Sequence, residues 1–224
     1  LDTNGDARVS TADAVYNLRY LLLDGAPPED FAPAIGAAIN VGLARGAGVT
    51  ATVMMPYLDR MAEFSAWYRQ LWAGSLGKNG LGTTPIRALG TVDQHSQLQF
   101  YLDGPADKLF TLIFAPAKGL GGVIDPELAL AAGLDYLAGH RMGDLLDASQ
   151  RATAAALTQN KRPVRIITID ILDETVMGAL MMHFMIETVI AARLIGVNPF
   201  DQPAVEEGKA LIRQKMLESQ GEQS

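Results

Sequence analysis

Two stretches of this chain carry residues whose types and spacing could do chemistry. The first, DTNGDARVSTAD, places side-chain oxygens at Asp2, Asn4, Asp6, Ser10 and Asp13. These are positions 1, 3, 5, 9 and 12 of a calcium loop, with the carbonyl of Arg8 at position 7. Calcium takes six to eight hard oxygen ligands, and this spacing wraps them round one point. Ala7 stands where glycine usually makes the turn, and Asp13 where an EF-hand has glutamate. An acidic turn capping the next helix is the plainer reading of the same residues. The second stretch, LWAGSLGKNGLG, has glycines at 74, 77, 80 and 82, one lysine and no acid. A phosphate-cradling P-loop needs Gly, four residues, then Gly-Lys-Ser/Thr. Here Gly77-Lys78 is followed by Asn79, and the leading glycine position falls on Trp72, so that motif is excluded.

Other reactive residues have simpler explanations. His140 and His183 sit in no motif and read as structural. Met177, Met181, Met182 and Met185 are spaced as core residues. Asp170, Asp173 and Glu174 read as a capped helix start rather than a metal cluster.

These residues must be positioned by secondary structure. Residues 32–46 have helical spacing and stop at Gly46. VTATVMMP reads as a buried strand ended by Pro56. YLDRMAEFSAWYRQLWA reads as an amphipathic helix with Leu58, Met61, Phe64, Trp67 and Leu71 on its apolar stripe. A glycine-rich loop is expected from there to about Gln94, then a short helix from His95 to Leu102. KLFTLIFA and VRIITIDI read as strands flanking an alanine-rich helix, Leu137 to Gln159. A long, mostly buried helix follows Glu174, and a last one runs from about Pro203 to Glu218, with a fraying tail.

Strands alternating with helices predict an α/β fold, a parallel sheet with helices on both faces. Ligands in such sheets sit at the carboxyl ends of strands, so topology alone makes the glycine-rich loop a candidate site. GAPPEDFAP marks a boundary, giving a 1–30 loop-helix appendage, a 31–219 domain and a 220–224 tail.

Composition narrows the function. The 224 residues are 49% hydrophobic and 19% charged, with a net charge of -7. An acidic chain is a poor polyanion binder, which argues against nucleic acid. No cysteine is present, which excludes disulfides, zinc thiolates and thiol nucleophiles. The longest apolar stretch, Val176 to Ile195, is interrupted by His183, Glu187 and Arg193, so no membrane role is expected. A cytoplasmic location fits these features. The chain opens at Leu1 rather than Met, which points to a fragment.

Two segments carry a specific resemblance. GTVDQHSQLQFYLDGP, Gly90 to Pro105, resembles the histidine-bearing segment of the glucose-6-phosphate isomerase family. ARLIGVNPFDQPAVEEGK, Ala192 to Lys209, resembles that family's carboxy-terminal signature, and SLGKNGLGTTPIRALG resembles the stretch between. The resemblance runs from about Phe31 to Gln214 and implies the carboxy-terminal, second sugar-isomerase (SIS-type) domain. It implies aldose–ketose interconversion of glucose 6-phosphate and fructose 6-phosphate, as in glycolysis and gluconeogenesis, with no cofactor. That chemistry opens a pyranose ring and moves a proton between C2 and C1 through an enediol. Ring opening needs a proton shuttle near neutral pH. By resemblance His95 is that shuttle, reaching the site of a neighbouring subunit in a homodimer, and Lys209 assists it. Gln202, at the start of the last helix, resembles a ligand-binding glutamine, and Ser75 and Lys78 fall in the substrate-binding loop. The appendage resembles one repeat of a dockerin-type calcium module.

One position departs from the family. It expects a glutamate directly before Ser-Leu-Gly-Lys as the base for the C1–C2 proton, and this chain has Gly74. The family's amino-terminal half is also absent. Two readings follow: a partial isomerase homologue of weak or no activity alone, or a non-catalytic sugar-phosphate-binding or calcium-dependent scaffold module.

Overall fold

A computed structural model describes residue 29 and residues 31–221 of the chain. The calcium-like loop, Asp2 to Asp13, lies outside the described residues, as do 222–224. In chain order the elements are α1 (Ala32–Gly46), β1 (Ala51–Pro56), a 3-10 turn at Asp59–Met61, α2 (Ala62–Leu76) and β2 (Thr84–Arg87). There follow α3 (Val92–Ser96), α4 (Leu98–Asp103), β3 (Lys108–Phe114), α5 (Pro126–Ala131) and a 3-10 turn at Asp135–Leu137. The last are α6 (Met142–Gln159), β4 (Val164–Thr168), α7 (Glu174–Ile195) and α8 (Pro203–Gly221).

The four strands form one parallel sheet in the order β2-β1-β3-β4. Every residue of β1 is buried, which explains why all but Thr52 are apolar. Alternate side chains serve opposite faces. Met54 and Ile113 join Phe64, Tyr68, Trp72, Leu76, Leu180 and Phe184 in a core with α1, α2 and α7. Val53, Met55, Phe110 and Leu112 pack on the other side with Tyr101 of α4 and Ala154 and Leu157 of α6. The result is the expected three-layer α/β arrangement.

Several boundaries move. The glycine-rich loop is interrupted by β2, whose Pro85 pairs with Thr52 at the sheet edge, where a missing N–H is tolerated. The helix expected over 95–102 breaks at Gln97 into α3 and α4. The alanine-rich helix begins at Met142, not Leu137. Helix α2 extends to Leu76, and its buried stripe is Phe64, Tyr68, Trp72 and Leu76, one residue every turn. Trp67 and Leu71 lie at the margin of that stripe. Met177 and Met181 pack against the core, whereas Met185 is exposed.

Behind the sheet lies a buried ionic cluster that no sequence pattern announces. Arg165 of β4 donates from Nη1 to Oε2 of Glu187 at 2.8 Å, and Asn40 of α1 donates to Oε1 at 3.1 Å. His183 Nε2 sits 3.1 Å from the same carboxylate, so this histidine has a structural partner. Burial, then the charge of Glu187, pushes the Tyr68 phenol above its ordinary value. A methyl group at Gly36 would overlap the Glu187 carboxylate and the Arg165 guanidinium. Both groups are held by partners, so neither can swing away freely. Gly36→Ala is therefore expected to destabilise the fold by about 1–3 kcal/mol. Urea unfolding should show a lower midpoint at constant slope, and an unchanged midpoint would refute the crowding.

Candidate functional site

Position 74 is helical. LWAGSL completes α2, and the loop begins only at Gly77. The reason is packing: Trp72 and Leu76 are buried, and they carry the helix through a glycine and a serine that otherwise read as turn signals. Of the remaining glycines, Gly82 is demanded by the backbone. Its φ is +95°, and a Cβ there would meet the carbonyl oxygen of Leu76 at 2.8 Å. The loop is also tied at its far end, where Trp72 Nε1 donates to Thr83 Oγ1 at 2.9 Å.

The loop enters the amino end of β2, since it joins the end of α2 to Thr84. The expectation that it occupies the carboxyl edge of the sheet is thus corrected. Helix α7 also ends at this amino edge, and the segment 196–202 leads from it into α8. A cavity of about 380 Å³ opens where the two segments meet. Gly74, Gly77, Lys78, Gln202, Val205 and Glu207 are among its walls. A Cβ on Gly74 would lie 2.7 Å from Nε2 of Gln202, so position 74 faces that amide directly. Glu207 brings a carboxylate to the cavity wall, five residues beyond Gln202. It falls within the ARLIGVNPFDQPAVEEGK signature, in which Gln202 and Lys209 drew attention and it did not.

Lys78 sits differently from a free ligand-binding lysine. Its ammonium donates to the carbonyl oxygens of Ser75, at 2.9 Å, and of Asn198. It also pairs with Asp201 at 3.2 Å, and its side chain is only 9% exposed. Ser75 adjoins Gly74 on the same helical turn.

His95 lies elsewhere. Helix α3 follows the carboxyl end of β2, on the opposite edge of the sheet. The six residues of β1 put the two edges about 20 Å apart. The VDQHSQ segment explains how this histidine is presented. Asp93 accepts from Leu89 N–H at 2.7 Å, Ser96 hydroxyl at 2.9 Å and Gln97 amide at 2.9 Å. Burial opposes ionisation of Asp93, but these three donors hold its carboxyl below the usual range. Gln94 accepts from the Tyr57 and Thr153 hydroxyls at 3.0 and 3.1 Å. Asp93 and Gln94 thus anchor the short helix, and His95 is left exposed. Lys209 is exposed on α8, beyond the cavity walls, and pairs with Glu206 at 2.7 Å.

The structure therefore brings together Gly74, Lys78 and Gln202, with Ser75 alongside, and leaves His95 and Lys209 apart from them. Asp173 caps α7 by accepting from Val176 N–H at 2.8 Å, as its reading as a helix start requires. Among the described residues, no group of acidic and histidine side chains is arranged to hold a metal ion.

No protein-family model matches the chain. A protein named probable glucose-6-phosphate isomerase from Halobacterium salinarum is 44% identical over 192 residues, which is 86% of this chain and 44% of that protein. A glucose-6-phosphate isomerase from Rubrobacter xylanophilus is 41% identical over 182 residues, or 81% of this chain and 42% of that protein. Among solved structures, a hypothetical protein from Thermus thermophilus matches with a TM-score of 0.78 and 33% identity, covering 91% of this chain and 50% of that one. A glucose-6-phosphate isomerase from Chlamydia trachomatis shares the fold, with a TM-score of 0.68 at 24% identity over 82% of this chain and 38% of that one. The chain spans about half the length, or somewhat less, of the relatives it matches.

Proposed function

We propose that this chain, a homologue over most of its length of proteins named glucose-6-phosphate isomerase, forms the sugar-phosphate-facing carboxy-terminal part of an aldose–ketose isomerase. One observation carries the reading: position 74 and Gln202, far apart in sequence, adjoin each other in the wall of a single cavity. In the family's chemistry a carboxylate at position 74 moves the proton between C2 and C1. Gln202 supplies an amide that can donate to a substrate oxygen, at the entry to a helix whose dipole favours anions. His95, on the opposite edge, suits a shuttle delivered to the site of a second copy, as in a homodimer. Lys209 belongs to the ring-opening step in this scheme.

Gly74 has no proton acceptor, and a lost general base typically costs about 10²–10⁴-fold in rate. Glu63 cannot replace it. That residue is in the first turn of α2, about 16 Å along the axis from position 74. The chain alone is expected to turn over little fructose 6-phosphate in a coupled assay, and rates near those of a whole isomerase would refute this. The same missing carboxylate favours a second reading, a module that binds sugar phosphate without converting it. Calorimetry separates this from a scaffold role. Sugar-phosphate binding without turnover supports the binding module, and calcium binding without sugar phosphate supports the scaffold.

A further inference from the structure

We infer that Lys78 is a positioning residue: its ammonium fastens the 198–202 segment to the end of α2 and so sets the separation between position 74 and Gln202. Its importance for function rests on the reading of that cavity given above. An ammonium has three N–H donors and no acceptor. Here three acceptors surround it: the Ser75 carbonyl, the Asn198 carbonyl and the Asp201 carboxylate. No donor remains for a bound phosphate in this arrangement.

The placement explains itself physically. Ser75 O belongs to the last turn of α2, where carbonyls lack helical partners and the helix dipole favours a cation. Asn198 and Asp201 come from the connection between α7 and α8. That connection has its own local turn, with Phe200 N–H donating to Asn198 Oδ1 at 3.1 Å. Gln202 then starts α8, its carbonyl accepting from Val205 and Glu206 at 3.0 and 3.2 Å. Helix α8 is exposed along the body of its length, so packing does little to fix where it begins. This ammonium joins two segments more than a hundred residues apart, and Gly74 and Gln202 stand on either side of that joint.

The absence of cysteine from the chain allows a local test. Gly74→Cys and Gln202→Cys are introduced together, and the disulfide between them is equilibrated with glutathione. The ratio reports the effective concentration of one position at the other. With Lys78 present this value should be high. Lys78→Met should lower it at least tenfold, while circular dichroism shows the fold retained. Asp201→Asn, which leaves both carbonyl contacts, should lower it less. Equal disulfide formation with and without Lys78 overturns the inference. If Lys78→Met does not fold, Asp201→Ala loosens the same joint, and no fall in effective concentration there also overturns it. Titration of the chain without the two cysteine substitutions with fructose 6-phosphate separates the two levels. A disulfide that depends on Lys78, together with no binding of sugar phosphate by the chain with Gln202 intact, leaves the joint standing and removes the site reading.

Discussion

Joined to the amino-terminal half of a relative, the chain carrying Gly74→Glu is expected to isomerise sugar phosphate about 10²–10⁴-fold faster than the same protein with glycine. The geometry favours the gain. Position 74 lies on the last turn of α2 and faces the cavity, so a side chain there enters it without moving the backbone. The one group it meets is the Nε2 end of Gln202, a flexible amide that can turn and donate to the new carboxylate. The helix itself should gain about 0.5–1 kcal/mol from losing an interior glycine, less the cost of shifting that amide. The coupled assay checks this. No gain, in a protein that still binds fructose 6-phosphate, would mean that position 74 does not face the reacting carbons.

The largest expected effect on stability lies away from the site. Glu187→Ala should destabilise the fold by about 3–5 kcal/mol, because it strands a charge rather than merely removing a contact. Glu187 is fully buried, and it is the anion that Arg165 pairs with among the described residues. Among the described residues, one Arg165 nitrogen, Nη2, is already buried without a partner. Replacing both charges at once, with Arg165→Met and Glu187→Leu, should recover most of the loss, since apolar groups of similar size need no counter-ion. Urea unfolding of the two variants measures the difference. Equal losses in the single and double variants would contradict the account.

What the residues revealed in advance followed from periodicity. Strands β1 and β3 are buried on both faces and show as apolar runs, and α7 is long enough to be plain. Strand β2 was hidden because four residues containing Pro85 sit among glycines and threonines, and only pairing with β1 makes them a strand. The end of α2 was hidden for a related reason. Gly74, Ser75 and Gly77 are turn-like locally, while burial of Trp72 and Leu76 decides in favour of helix. Once β2 is a strand, the loop that precedes it must lie at the amino edge of the sheet. Gly74, Lys78 and Gln202 were recognisable as candidates from their motifs. Their meeting in one cavity was not, because it depends on contacts across more than a hundred residues of chain. The partners of Lys78 and of Glu187 were illegible for the same reason: long-range pairs leave no spacing to read.

The most direct measurement is a calorimetric titration of the chain with fructose 6-phosphate, with and without Gln202→Ala. The account predicts saturable binding that weakens at least tenfold when the amide is removed, equivalent to about 1.4 kcal/mol. Binding that is equally tight without Gln202, or no binding at all, would contradict the claim that this cavity holds the sugar phosphate.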